Sequence, residues 1–169
     1  MTCWGSDIGF TEAMIDTIAG KACIDRDAVF VTGFSMGGYY TNNLGCARPD
    51  LVRGIAPHSG GAKDMDCATP VPTMVIHGDA DGLIVGSCGV AAGEKWARSN
   101  GCASTSTPRP IMGGTCQVSD GCPPDAPVET CILAGMAHGW SGGTVGAYAG
   151  GAQYEDGARM AWAFFEALL

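Results

Sequence analysis

Positive charge, histidine and long apolar runs are all scarce in this sequence, and each shortage argues against a class of function. Nine Lys and Arg stand against 17 Asp and Glu, for a net charge of −8. The basic residues form no stripe that could follow a phosphate backbone, which argues against nucleic acid as a partner. No apolar run reaches the roughly 18 residues that a membrane span needs, and MTCWGSDIGF carries neither the basic nor the apolar region of a secretory signal. With three histidines and no C-x-x-C spacing, the cysteines do not read as a metal site, and no metal or organic cofactor is expected.

What the chain does have is apolar content and cysteine. Of 169 residues, 46% are hydrophobic and 15% charged, enough to bury one core, so residues 1–169 are expected to form a single domain. Nine cysteines without metal spacing read as disulfides. Disulfides imply an oxidising compartment, and hence a secreted protein whose targeting segment is not in this chain. The odd count leaves one cysteine unpaired. A neutral substrate or an uncharged polymer fits the charge balance best.

The spacing of Phe10, Met14 and Ile18 behind Asp7 and ahead of Gly20 predicts an amphipathic helix over 7–20. Strands are expected at 28–32, 52–56, 71–76 and 128–133, and helices at 36–47, about 89–100 and about 154–168. The strands are continuous apolar runs alternating with helices, the pattern of a parallel sheet covered on both faces, so the class is α/β. Residues 101–127, rich in Gly, Pro, Ser and Thr, and the stretch SGGTVGAYAGG at 141–151 are expected to be irregular surface loops.

The chemistry is expected at VFVTGFSMGGYY, residues 29–40. Gly33-Phe34-Ser35-Met36-Gly37 matches G-x-S-x-G between a strand and a helix, where a sharp turn would hold Ser35 in a strained conformation. Glycines at 33 and 37 would avoid backbone collisions, and Gly38 would let the helix pack closely. The Met36 backbone N–H, at the positive end of that helix, could donate to an oxyanion. The competing reading is a serine that merely caps the helix. A serine nucleophile needs a base and a group to orient that base. His138 lies in a loop after the fourth expected strand, and His77-Gly78-Asp79-Ala80-Asp81 follows the third, offering either Asp79 or Asp81 as the acid. His77 reads as a residue that bonds backbone at the strand end and fixes that loop. His58 follows the second strand and could line the cleft, though as a base it would precede the acid.

GFSMGG, APHSGG, HGDADGLIV and GMAHGWSGG, in that order, resemble secreted esterases related to polyhydroxybutyrate depolymerases and feruloyl esterases of the α/β-hydrolase fold. The likeness runs from DIGFTEAMIDTI to the terminal helix. It implies a triad of Ser35, Asp81 and His138, selecting Asp81 over Asp79, and hydrolysis of a carboxylic ester without a cofactor. Feruloylated or acetylated plant polysaccharide and polyhydroxyalkanoate are both compatible substrates. Trp140, two residues past the base, reads equally as a stacking partner for substrate and as a packing residue. The segments NGC and DGC resemble the family's and imply a Cys102–Cys122 disulfide, with Cys116–Cys131 a plausible second. The resemblance also implies several further strands at the start of the fold, and a His-Gly loop that completes the oxyanion hole. No counterpart stands upstream of Thr2. The chain is therefore expected to be the C-terminal part of a longer enzyme, or a natural truncation, with four strands and an exposed sheet edge. The rival expectation is an impaired fragment or polymer-binding module that keeps the elbow alone.

Overall fold

In a computed structural model, residues 4–62 and 65–169 are described. The chain runs α1 (Trp4–Ala19), β1 (Phe30–Phe34), α2 (Met36–Ala47), β2 (Gly54–His58), β3 (Thr73–Gly78), α3 (Gly86–Ser99), β4 (Ser106–Ile111), β5 (Gly114–Ser119), β6 (Val128–Leu133) and α4 (Gly157–Glu166). The sheet order is β1-β2-β3-β6-β5-β4. β1, β2, β3 and β6 are mutually parallel, while β5 joins β6 antiparallel and β4 joins β5 antiparallel. Every expected helix and strand is present.

β3 shows why these apolar runs form a central strand. All six of its residues are buried, and alternate side chains feed two cores. Met74 and Ile76 join Phe164, Phe165 and Met160 of α4 on one face. Val75 joins Leu44 of α2 and Ala92 and Trp96 of α3 on the other. At about 25 cal/mol per Å² of apolar area, such two-sided burial is a main source of stability, and in β3 the consecutive Met74, Val75 and Ile76 supply it to both faces.

Two expectations change. Residues 101–127 are not all irregular, because they contain the β4–β5 hairpin, and the sheet has six strands instead of four. Cys116 faces Cys131 in the β5–β6 register, and the two form a disulfide, as do Cys102–Cys122 and Cys46–Cys67. Cys23 and Cys88 stand as free thiols among the described residues, and Cys3 lies outside them. The second change concerns α1. The helix forms, but Phe10, Met14 and Ile18 face outward, with Phe10 70% exposed, and Ile15 turns inward. Asp7 falls within the first turn instead of capping it. The helix is tied to α2 by a two-pronged pair from Arg48 to Glu12, at 2.8 and 3.0 Å. No strand among the described residues pairs the outer edge of β1, so the apolar stripe meets no sheet.

Among the described residues no helix is long and apolar enough to cross a membrane. The parallel arrangement has one consequence for function: the carboxyl ends of β1, β2, β3 and β6 all open on one edge of the sheet, where α/β folds place their sites.

Candidate active site

The turn from β1 into α2 is as tight as the glycine spacing suggests. Ser35 has φ 56° and ψ −117°, a region that costs a non-glycine residue roughly 1–3 kcal/mol. A Cβ on Gly33 would lie 2.4 Å from the Gly37 carbonyl oxygen, and one on Gly38 would lie 2.7 Å from the His58 carbonyl oxygen. At Gly37 the expectation fails: a Cβ there would meet nothing within 4 Å. Although Ser35 stands at the N-cap, its side chain makes no cap bond, so the simple capping reading is not what this serine does. Its Oγ lies 2.9 Å from His138 Nε2. Met36 opens the helix, so its N–H has no intrahelical acceptor.

His138 arrives in the loop after β6, and its Nδ1 is 2.7 Å from Asp81 Oδ2. Asp81 is held rigidly. Its Oδ1 accepts the N–H groups of Leu83 and Ile84, both at 2.9 Å. Burial pulls the Asp81 carboxyl upward, but the bonds from His138 and from those two amides outweigh it and hold the group below the usual carboxylate range. His77 is fully buried, donates from Nε2 to the Ile84 carbonyl at 2.8 Å, and lies 3.4 Å from Asp81 Oδ2. It therefore braces the acid loop, as the sequence suggested. Asp79 accepts the Gly135 N–H at 2.6 Å and fastens the start of the His138 loop; it does not bond the imidazole, and Asp81 does.

His58 corrects an expectation. It lies at the end of β2 but has no exposed surface, so it cannot touch a substrate. Trp140 stacks on its ring at a centroid distance of 4.7 Å and 19°. One face of Trp140 is thus committed to packing, while the residue as a whole remains half-buried.

Two aromatic residues escaped the sequence reading. Phe34 packs 4.8 Å from the His138 ring, and Tyr148 stands edge-on to it at 5.7 Å. Tyr148, and Met36 beside Ser35, are exposed, as are Leu83 and Val85 just beyond Asp81. Phe34 could have been suspected from its place beside Ser35, whereas Tyr148 is one aromatic in a glycine-rich loop. A groove of about 780 Å³ between α4 and the β4–β5 hairpin, with Met74, Met160 and Phe164 in its lining, contains none of the Ser35, Asp81 or His138 side chains. Among the described residues Cys116, Glu129 and Cys131 have the spacing of metal ligands, but the disulfide between the two cysteines occupies both sulfurs.

The chain has the α/β-hydrolase fold. An acetyl xylan esterase from Aspergillus awamori superimposes with a TM-score of 0.64 at 16% identity, over 78% of this chain and 61% of that one. The esterase PE8 matches with a TM-score of 0.61 at 18% identity, over 98% of this chain and 62% of that one. In sequence, the chain is similar to proteins named feruloyl esterase. It is 37% identical to feruloyl esterase D of Neurospora crassa over 101 residues, covering 58% of this chain and 34% of that protein. It is 31% identical to a probable feruloyl esterase C of Aspergillus clavatus over 116 residues, covering 68% and 43%. The chain thus spans between a third and a half of the length of these relatives. No protein-family model matches it.

Proposed function

We propose that this chain carries the catalytic centre of a serine esterase acting on feruloyl esters of plant polysaccharide. The supporting observation is the continuous hydrogen-bonded chain Ser35 Oγ, His138 and Asp81, at 2.9 and 2.7 Å, on loops after three different parallel strands. The similarity to proteins named feruloyl esterase supports the acyl group. Three disulfides support an extracytoplasmic location.

In this mechanism Ser35 Oγ attacks the ester carbonyl carbon while His138 Nε2 takes its proton. Asp81 stabilises the imidazolium and keeps the ring oriented. The carbonyl oxygen becomes an oxyanion beside the Met36 N–H. Collapse expels the alcohol, which receives its proton from His138. Water, deprotonated by the same nitrogen, then attacks the acyl-enzyme and releases the acid and Ser35. The reaction calls for no metal or organic cofactor. Tyr148 stands edge-on to the His138 ring and Trp140 lies edge-on to Phe34, which packs against that same ring; in this reading an aromatic acyl group contacts Tyr148.

A second reading rests on the edge of β1, which no strand among the described residues pairs, and on the outward stripe of α1. In it the chain is the C-terminal portion of a longer hydrolase, and a second oxyanion donor comes from strands outside it. One missing donor lowers the rate about 10²- to 10³-fold. The purified chain, incubated with methyl ferulate, acetylated xylan and 3-hydroxybutyrate oligomers, tests both readings. Ferulate release abolished by Ser35→Ala supports the esterase reading. Release of 3-hydroxybutyrate alone overturns the acyl group. Polymer binding with no hydrolysis of any ester supports the incomplete-site reading.

A further inference from the structure

His58 takes no part in the chemistry above, yet it touches both halves of the site. Its carbonyl accepts the Ser35 N–H at 3.0 Å, so its main chain holds the elbow. Its side chain meets Trp140 and Ser141 directly, and Gly139 through Ser59. Nε2 accepts the Ser141 N–H at 3.1 Å and lies 3.1 Å from Ser141 Oγ. Nδ1 lies 3.2 Å from Ser59 Oγ, whose hydroxyl reaches the Gly139 carbonyl at 3.5 Å. Trp140 covers the ring. The Ser141 carbonyl in turn accepts the Gly157 N–H at 3.0 Å, at the start of α4.

Since the Nε2 lone pair accepts, the proton belongs on Nδ1, where it donates to Ser59. A cationic ring would oppose an N–H to the Ser141 N–H. Burial first, and then the neighbouring His77 and His138, push the His58 imidazole down to about 3, so the ring is neutral at ordinary pH.

We infer that His58 is a positioning residue that fixes the distance between Ser35 and His138, by clamping the 139–141 segment against the strand that also anchors the elbow. This rests on the Ser35–His138 reading proposed above. An imidazole is suited to the task because it offers one acceptor and one donor on opposite sides of a rigid ring. Glutamine keeps an amide acceptor for the Ser141 N–H, and leucine keeps only bulk.

The test compares wild type, His58→Gln and His58→Leu in the full chain by ester kinetics and by the imidazole proton resonances of His138. A misplacement of about 1 Å costs about 10²-fold in rate. His58→Leu is therefore expected to lose about that much in kcat, with KM changed less than about threefold, while His58→Gln recovers to within about tenfold of wild type. The hydrogen-bonded Nδ1 proton of His138 should be sharp in wild type and His58→Gln, and lost in His58→Leu, with all three melting cooperatively. If His58→Leu keeps both kcat and that resonance, the inference is overturned. It is equally overturned if both variants lose rate only in proportion to lost folded protein. Should the wild type hydrolyse no ester, the incomplete-site reading gains by itself, and the resonance comparison still decides the role of His58. If leucine fails to fold, Ser59→Ala, which cuts the link to Gly139, gives the same readouts in a milder variant.

Discussion

Two histidines with serine neighbours lie within one sheet edge, and their surroundings point them to opposite tasks. His138 has a carboxylate on Nδ1 and a strained serine on Nε2, and its side chain keeps some exposed surface. His58 has a hydroxyl on Nδ1 and an amide N–H on Nε2, and it is sealed beneath Trp140. A histidine beside a serine therefore does not make a base. A base needs an anion to stabilise its cation and room for the reacting atoms, and His58 has neither.

The sharpest way to break the contrast is to remove the anion. Asp81→Asn leaves an amide that can no longer stabilise the imidazolium, and kcat for ester hydrolysis is expected to fall about 10⁴-fold with the fold intact. Steady-state kinetics beside a circular dichroism spectrum checks this.

Acid should separate the two histidines next. The His58 value in the folded chain, about 3, lies below the roughly 6.5 of an unfolded histidine. The stability tied to its neutral state is thus fully present above about pH 6.5 and is lost as pH falls toward about 3, at about 1.4 kcal/mol per pH unit. Asp81, held below its unfolded value, works in the same direction lower down: its contribution is present above the ordinary carboxylate range and is lost as pH falls through its depressed value. Urea midpoints measured from pH 7 to pH 3.5 should decline steadily in wild type and more shallowly in His58→Gln.

Within the elbow, Gly33→Ala and Gly37→Ala make a matched pair. The first drives a methyl to 2.4 Å from backbone and is expected to cost about 2 kcal/mol or more. The second faces open space and should shift stability by less than about 1 kcal/mol, in either direction. Thermal melting distinguishes them. The smallest expected effect belongs to Tyr148. Tyr148→Ala should raise KM for a feruloyl ester about fivefold while leaving an acetyl ester nearly unchanged, in line with about 1 kcal/mol for an aromatic contact.

Much of the scaffold is legible because its strands are buried on both faces. Thr73–Gly78 can be read from its apolar centre Met74–Ile76 and is buried throughout, whereas Val128–Leu133 is legible from Val128 and Cys131–Leu133 despite Glu129 and is buried at four of its six positions. The β4–β5 hairpin cannot, since Ser106–Ile111 carries two prolines and is almost wholly exposed. Proline is tolerated there because β4 is an edge strand, and pairing through β5 to β6, locked by Cys116–Cys131, overrides the loop-like composition. The outward stripe of α1 is hidden from the sequence for a related reason: periodicity finds an apolar face but not what lies beneath it.

Ser35 and His138 could be picked out because each follows a strand in order, and so could the loop after β3, but within that loop only the family resemblance chose Asp81 over Asp79. The clamp of Ser59, His58 and Ser141 could not, because a meeting of side chains 83 positions apart has no local signature. Gly37 matched the motif yet proved sterically idle, so the pattern conceals which of its glycines the turn requires.

The central claim, that Ser35 is a nucleophile activated by His138, is tested most directly by reacting the chain with a fluorophosphonate and locating the adduct by mass spectrometry. The account predicts one adduct on Ser35, absent in Ser35→Ala and slowed by about 10³-fold or more in His138→Ala. An adduct elsewhere, or labelling of Ser35 at the same rate without His138, would contradict it.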